Sequence, residues 1–401
     1  MYVLVGLLLS IAATIELGKG TANKKTVFSI LIVLLTAMLA IRYGQGSDYY
    51  GYYLQYNRIN ANASLFINSL YHGEFGWYIL LVIANRIGMS FETFIAIISI
   101  IMMGSIGKAI KKYSPYKIWS LLILYPTFYL TYCFSAIRQG LVMSLFLGFG
   151  LNLLIEKKYF KYYILSVLLI LLHKSAFILL LLPCLLHFRK CDIEKYCVFA
   201  IVFSAFLSYS GVLNRIASIF GAVEYFQVSI SVMAIILRTI LFVVIFMLHR
   251  ENKYYGEWND LNYSNLEDIL YFIYLIGYVI YLTCAFAGTL SQRLTMPLKS
   301  VEVILLPLLL YNLMSRSEIT GTKMKYLKIG TCRIVAVAML VIFMLNVETI
   351  KNINSYIVQG NYYSWVNPLN YPYSTIFDKE HVRNYLSHFD DEVQYNWKIE
   401  N

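Results

Sequence analysis

The chain has 401 residues, of which 59% are hydrophobic and only 14% are charged, and its formal net charge is +11. Soluble proteins are typically about 45–50% apolar and about 25% charged, so this composition excludes a soluble single-core enzyme, a disulfide-rich secreted module and a disordered chain. The lysines and arginines lie in short stretches between apolar runs. This arrangement is typical of membrane proteins, in which such loops set the orientation of the helices, and not of nucleic-acid-binding proteins.

The apolar runs predict an all-α polytopic membrane protein, because most are about as long as a helix that crosses the hydrocarbon layer. In chain order, the candidate spans are residues 2–17, 27–42, 91–107, 118–134, 138–155, 196–213, 232–249, 268–288, 294–314 and 331–347. Two further segments are ambiguous: residues 76–88 are too short to cross, and residues 162–187 carry His173 and Lys174 at their middle. We expect about 11 to 13 transmembrane helices.

The short basic loops fix the expected orientation. They are residues 18–26, 108–117, 156–161, 188–195 and 315–330. The positive-inside rule assigns all five to the cytoplasm. That assignment requires residues 76–88 not to cross and residues 162–187 to form a broken hairpin; the alternative is a single crossing by residues 162–187.

The chain is expected to form one membrane domain, residues 1–347, followed by an aromatic-rich tail, residues 348–401. Residues 43–90 would form a non-cytoplasmic loop and an interfacial helix. The loop 43–75, the 135–138 and 289–293 turns, the His173 tip and the tail would then all lie on the non-cytoplasmic side. These segments hold most of the polar residues that are unusual in such an apolar chain.

Arg138 opens a predicted span, with Ser135 as its expected N-cap. A cation in the first turn opposes the helix dipole, and it is favourable when an anion is held by both the side chain and the free backbone N–H groups. Arginine also suits bidentate phosphate contacts. The alternative is an interfacial arginine that snorkels.

Two further arginines fall on the same predicted side. Arg42 ends a span and is followed by glycines, Asp48 and a tyrosine cluster. Arg293 is predicted to begin another span, as Arg138 does. Each alone also fits an interface anchor, but three arginines on one side of one domain favour a shared anion site.

His173 and Lys174 are ionisable residues between long apolar stretches, which makes them a functional hypothesis by default. The imidazole is a candidate proton acceptor, and a neighbouring lysine would keep it neutral; a hydrogen-bonded packing histidine is the alternative. Within another span, Lys299 and Glu302 are spaced to form a structural ion pair.

In the tail, residues 362–368 and 370–374 combine aromatic rings with amides, which suits sugar rings but also an interfacial aromatic belt. The sequence contains no GxxxxGK[ST] loop, no HExxH and no GxSxG motif. The adjacent acidic residues Asp390 and Asp391 lie near the C-terminus, so a divalent metal held by clustered carboxylates is poorly supported. We therefore expect no metal and no cofactor, and a substrate that carries its own leaving group, such as a polyprenyl diphosphate sugar.

The sequence resembles the EpsG family of Wzy-like bacterial polysaccharide polymerases. The matching residues lie in family order over most of the chain: Arg42 with Gly46–Tyr49 and Tyr53, Glu74–Gly76, Ser135–Gly140, His173–Ala176, Arg293 and Tyr371–Phe377. The resemblance implies a GT-C-like membrane glycosyltransferase that acts at the outer face of the bacterial inner membrane. Its donor and acceptor would be undecaprenyl-diphosphate-linked oligosaccharides of O-antigen, capsule or exopolysaccharide type, and a chain-length regulator would be a further partner.

With this resemblance, His173, Arg138 and Asp48 are the expected catalytic residues. His173 is the favoured general base, and Asp48 and Glu74 are its rivals. The expected substrate-binding residues are Arg42, Arg293, Gln139, Glu74, Tyr49, Tyr53, Lys174, Tyr371 and Tyr373. The rival functions are an O-antigen ligase, a polysaccharide flippase or transporter, and a membrane acyltransferase that uses His173.

Overall fold

The described part of the protein is a helical bundle. A computed structural model of the chain describes residues 1–17, 24–46, 48–59, 74–187, 202–203, 206, 210–212, 215, 230, 232–254, 261–319, 341–353 and 373–379. Its helices are α1 (Tyr2–Leu17), α2 (Lys24–Ala40), α3 (Tyr49–Arg58), α4 (Phe75–Arg86), α5 (Phe91–Tyr113), α6 (Lys117–Leu124), α7 (Ile137–Ile155), α8 (Tyr159–Leu172), α9 (Leu182–His187), α10 (Val232–Tyr254), α11 (Leu261–Thr283), α12 (Gly288–Lys299), α13 (Glu302–Ile319) and α14 (341–352).

Irregular helical turns extend several of these elements. A π-helical segment, Tyr125–Cys133, continues α6, and a shorter π-turn, Phe146–Gly150, lies within α7. A 3₁₀ segment, Lys174–Leu181, separates α8 from α9. Among the described residues, the extended pairing is a single antiparallel bridge between Arg42 and Thr375. The architecture is that of an all-α polytopic membrane protein, as predicted.

Four described helices are long and apolar enough to cross a membrane: α5, α7, α10 and α11. α12 and α13 qualify together, but they are bent by 48° at the break between them. The candidate span over 294–314 therefore corresponds to this bent pair of helices. Pro297 lies inside α12, where it removes a backbone donor, and Pro307 lies inside α13.

The bundle has two chemically different ends, and basic loops gather at one of them. The Glu16 carboxylate accepts hydrogen bonds from the backbone N–H groups of Ile118 and Trp119 at 2.9 and 3.0 Å, which places α1's last turn at the N-terminus of α6. A carboxylate there complements the helix dipole. Lys112, at the end of α5, lies 3.5 Å from Glu156, which follows α7. We call this the basic end.

α4 does not cross the bundle. Glu74, just before it, contacts His173, and Met89, just after it, accepts a hydrogen bond from Tyr56 of α3. The Trp77 ring, in the first turn of α4, lies 5.5 Å from the Phe94 ring of α5. Both ends of α4 therefore lie near the start of α5, opposite the basic end. The prediction that residues 76–88 do not span is consistent with this arrangement.

Residues 159–187 fold back on themselves at His173. The Tyr162 hydroxyl donates to the Leu179 carbonyl at 2.9 Å, although the two residues lie on opposite sides of the turn. α8 and the 3₁₀ segment pack along each other. The predicted broken hairpin is thus present, and its turn lies at the end of the bundle opposite the basic loops.

Candidate functional site

Glu74 joins two residues that are far apart in the sequence. Its Oε1 accepts a hydrogen bond from His173 Nδ1 at 2.6 Å, and its Oε2 pairs with the guanidinium of Arg138. His173 comes from the hairpin turn, Arg138 from the first turn of α7, and Glu74 from the residue before α4. We call these residues, together with Tyr52 and Asp48, the His173 cluster.

Tyr52 links Arg138 to Asp48. Its hydroxyl accepts from Arg138 Nε at 3.1 Å and donates to Asp48 Oδ2 at 3.3 Å. The guanidinium also lies 5.1 Å from the centre of the Tyr52 ring. Burial raises the pKa of Tyr52 to about 12, so the phenol stays protonated and keeps donating. Tyr52 was not among the predicted site residues, because it lies in a tyrosine-rich stretch where the sequence does not distinguish it from its neighbours.

Arg293 belongs to the same electrostatic environment. The pKa of His173 is lowered to about 3, first by burial and then by the positive charges of Arg138 and Arg293. α12, which carries Arg293, packs against both the 3₁₀ segment and α7. Arg293 is exposed and makes no hydrogen bond or ion pair with other described residues.

The histidine is therefore neutral at physiological pH. It lies in the hairpin turn, outside the candidate spans, and only 6% of its surface is exposed. Its Nδ1–H donates to Glu74, and within the described part of the chain its Nε2 is buried without a hydrogen-bond partner. In this neutral tautomer, Nε2 carries the lone pair that can accept a proton.

Two glycines let the separate motifs approach one another. A Cβ on Gly46 would lie 2.6 Å from the Phe134 carbonyl oxygen, and its φ is +104°. A Cβ on Gly76 would lie 2.9 Å from the Leu171 backbone. The loop that carries Asp48 therefore packs on the turn before Arg138, and α4 packs on the hairpin that carries His173.

We expect Gly76→Ala to lower stability, because the added methyl meets backbone that cannot rotate away. Overpacking of this kind costs about 1–3 kcal/mol. Thermal unfolding of the purified protein measures the loss. Gly51→Ala on α3 is the control, since nothing lies within 4 Å of its added Cβ; equal midpoints for both variants would contradict the close approach.

Two predicted details at helix starts were wrong. Residue 136, an alanine without a side-chain cap, occupies the N-cap position of α7 instead of Ser135. α12 begins at Gly288, so Arg293 lies in its second turn and residues 289–293 are helical. Arg293 nevertheless acts electrostatically on His173, because α12 packs against the 3₁₀ segment and α7.

Arg42 occupies a different environment. It is 1% exposed, its guanidinium lies 4.8 Å from the centre of the Phe134 ring, and Nη1 donates to the Leu39 carbonyl. Its Nε and Nη2 have no hydrogen-bond partner among the described residues. The structure therefore packs Arg42 against the turn that precedes Arg138, and its role in substrate binding stays a prediction.

Of the remaining predicted site residues, some are buried, one is exposed and some lie outside the described residues. Gln139 is buried beside Arg138, Tyr49 is buried against Tyr43 and Phe91, and Tyr53 packs on Phe91. Lys174 is exposed next to His173. Tyr373 donates to the Met38 carbonyl, so this part of the tail is tied to α2. Tyr371 lies outside the described residues, as do Ser47 and the aromatic segment 362–368.

A second charged group lies at the bend between α12 and α13. Glu302 pairs with Arg238 of α10 at 2.7 Å. Lys299, predicted to pair with Glu302, instead lies 4.3 Å from the centre of the Tyr281 ring. The predicted pairing was wrong because the helix breaks between the two residues, which removes the regular three-residue spacing. No group of three or more potential metal ligands occurs within the described ranges.

The chain matches the model of one known protein family. The model of the EpsG family covers residues 25–358, which includes every residue of the His173 cluster and Arg293. No curated protein sequence and no solved structure matches the chain.

Proposed function

Because the chain belongs to the EpsG family, whose members are Wzy-type polysaccharide polymerases, we propose that it joins undecaprenyl-diphosphate-linked oligosaccharide repeat units at the outer face of the bacterial inner membrane. The products are polysaccharide chains of O-antigen, capsule or exopolysaccharide type. The observation that carries the proposal is the convergence of Arg138, His173 and Arg293 at one end of the bundle.

The reaction transfers a glycan between two lipid-linked units. A hydroxyl of the acceptor sugar attacks the anomeric carbon of the donor, and a new glycosidic C–O bond forms. The bond between that carbon and the diphosphate breaks, and undecaprenyl diphosphate leaves with the electron pair. The hydroxyl proton passes to a base of the protein, and a diphosphate needs no proton in order to leave.

Arg138 and Arg293 supply positive charge where the leaving diphosphate gains negative charge. Donors aimed at developing charge in a partly enclosed site are the largest contribution to many enzymatic rates. Arg293 is exposed and unpaired among the described residues, so it is available to bind phosphate at once. Arg138 is held by Glu74 and Tyr52, which fixes its guanidinium before the donor arrives.

His173 is the general base that the geometry favours. Glu74 uses one oxygen for His173 and the other for Arg138, so neither is free for the acceptor. Asp48 accepts from Tyr52 and remains the rival. Burial and the charges of Arg138 and Arg293 keep the imidazole neutral in the free protein. A base is most effective when its pKa lies near the working pH, and a bound diphosphate would raise the pKa of His173 by offsetting those two positive charges.

The decisive experiment supplies the purified protein with a single lipid-linked repeat unit. We expect products that contain two or more repeats, together with released undecaprenyl diphosphate. A ligase would require a different acceptor and would leave the repeat unit unextended. A flippase would move the unit between leaflets of a vesicle without forming a glycosidic bond, and either result would contradict the proposal.

A further inference from the structure

A groove runs between α2 and α5 at the basic end, away from the His173 cluster. It is an open groove with a volume of about 720 Å³, within the range of roughly 300–1,000 Å³ that is typical of ligand sites. Its walls are apolar for most of their length, and its mouth is basic. The lining residues are Phe28, Ser29, Ile32, Val33, Met103, Gly104, Gly107, Lys108, Lys111 and Lys112.

The groove has the depth of one leaflet. From Met103 to Lys112 it follows α5 for about 14 Å at 1.5 Å per residue, which is about half of the roughly 30 Å hydrocarbon thickness. Gly104 and Gly107 have no side chains to fill the groove, and nothing lies within 4 Å of a Cβ on Gly104. An acyl chain in this groove would lie along α5 with its headgroup at the lysines.

The three lysines of the groove differ in the contacts that their ammonium groups make. Lys112 interacts with Asn152 and Glu156, and the Lys108 ammonium lies 3.9 Å from the centre of the Phe149 ring. Lys111 is exposed and has no partner among the described residues. A cation over a ring keeps its charge, so Lys108 and Lys111 both remain available to a phosphate.

We propose that this groove binds one anionic phospholipid, with an acyl chain along Ile32, Met103 and Gly104 and its phosphate at Lys108 and Lys111. Basic pockets between membrane helices on the cytoplasmic side recognise anionic headgroups in this way, and the basic end is the one predicted to face the cytoplasm. The site is independent of the polymerase reaction.

Native mass spectrometry of the full chain in detergent tests the site, with phosphatidylglycerol and phosphatidylcholine of identical acyl chains as the probes. We expect phosphatidylglycerol to bind more tightly. The double variant K108Q/K111Q should weaken its binding by roughly 25-fold, about fivefold for each lysine, and leave phosphatidylcholine unchanged. Lys161→Gln, an exposed lysine of α8 outside the groove, is the matched control and should have no effect.

A second pair of variants tests the contribution of the groove's shape to lipid binding separately from that of the lysine charges. Gly104→Leu places a side chain in the groove and leaves both lysines in the sequence, and it should reduce binding of phosphatidylglycerol at least tenfold. Gly104→Ala leaves most of the volume free and should bind as the unaltered chain does. Equal affinity for the two lipids, or phosphatidylglycerol binding that survives Gly104→Leu, would overturn the site.

Discussion

Replacing Arg138 by alanine is expected to reduce polymerisation about 10²–10³-fold, the loss that follows removal of one donor aimed at developing negative charge. Arg138 is the cation that Glu74 and Tyr52 hold in place. Without it, the leaving diphosphate loses a preorganised partner, and Glu74 retains only its hydrogen bond to His173. The length distribution of glycans made by the purified variant measures the effect, and single repeat units should predominate.

Two further variants make the result interpretable. Arg138→Lys keeps the charge but lacks the planar fork of a guanidinium, so we expect it to recover only part of the rate. Arg86→Ala removes an exposed arginine at the end of α4, outside the cluster, and should polymerise normally. Full-length chains from Arg138→Ala, at unchanged protein abundance, would contradict a role for Arg138 in the reaction.

The sequence predicted the fold class and most helix positions, because long apolar runs leave few structures other than membrane helices. It also identified Arg138, His173, Glu74 and Arg293 as unusual. Their convergence is a property of packing: Gly76 against Leu171 and α12 against α7 bring together motifs that are separated by up to 219 positions along the chain, from Glu74 to Arg293.

Other features had no sequence signal that would find them. The 48° bend between α12 and α13 redirects Glu302 toward Arg238, although the local spacing favours Lys299. Arg42 is a second case, because an arginine at the end of a span gives the same sequence pattern whether its side chain points outward or is buried in the core. Only 1% of the Arg42 surface is exposed, and this burial depends on aromatic residues from distant segments that pack around its side chain.

Replacing His173 by alanine is expected to reduce the rate about 10²–10⁴-fold, the usual contribution of a general base. Asp48→Asn is the matched comparison, because it removes the rival carboxylate while its amide still accepts from Tyr52. If His173 is the base, Asp48→Asn should lose less than tenfold. Near-normal activity of His173→Ala, with collapse of Asp48→Asn, would transfer the role to Asp48.

The pH dependence should reveal how the arginines act on His173. In the free protein its pKa is about 3, lowered by burial and by Arg138 and Arg293, so kcat/KM should stay flat from pH 8 down to about pH 5. A bound diphosphate offsets those two positive charges and raises the pKa toward the ordinary value of about 6.5. Because kcat reports the substrate complex, its acid limb should lie at higher pH than that of kcat/KM. Coincident limbs would mean that the diphosphate does not rest beside His173.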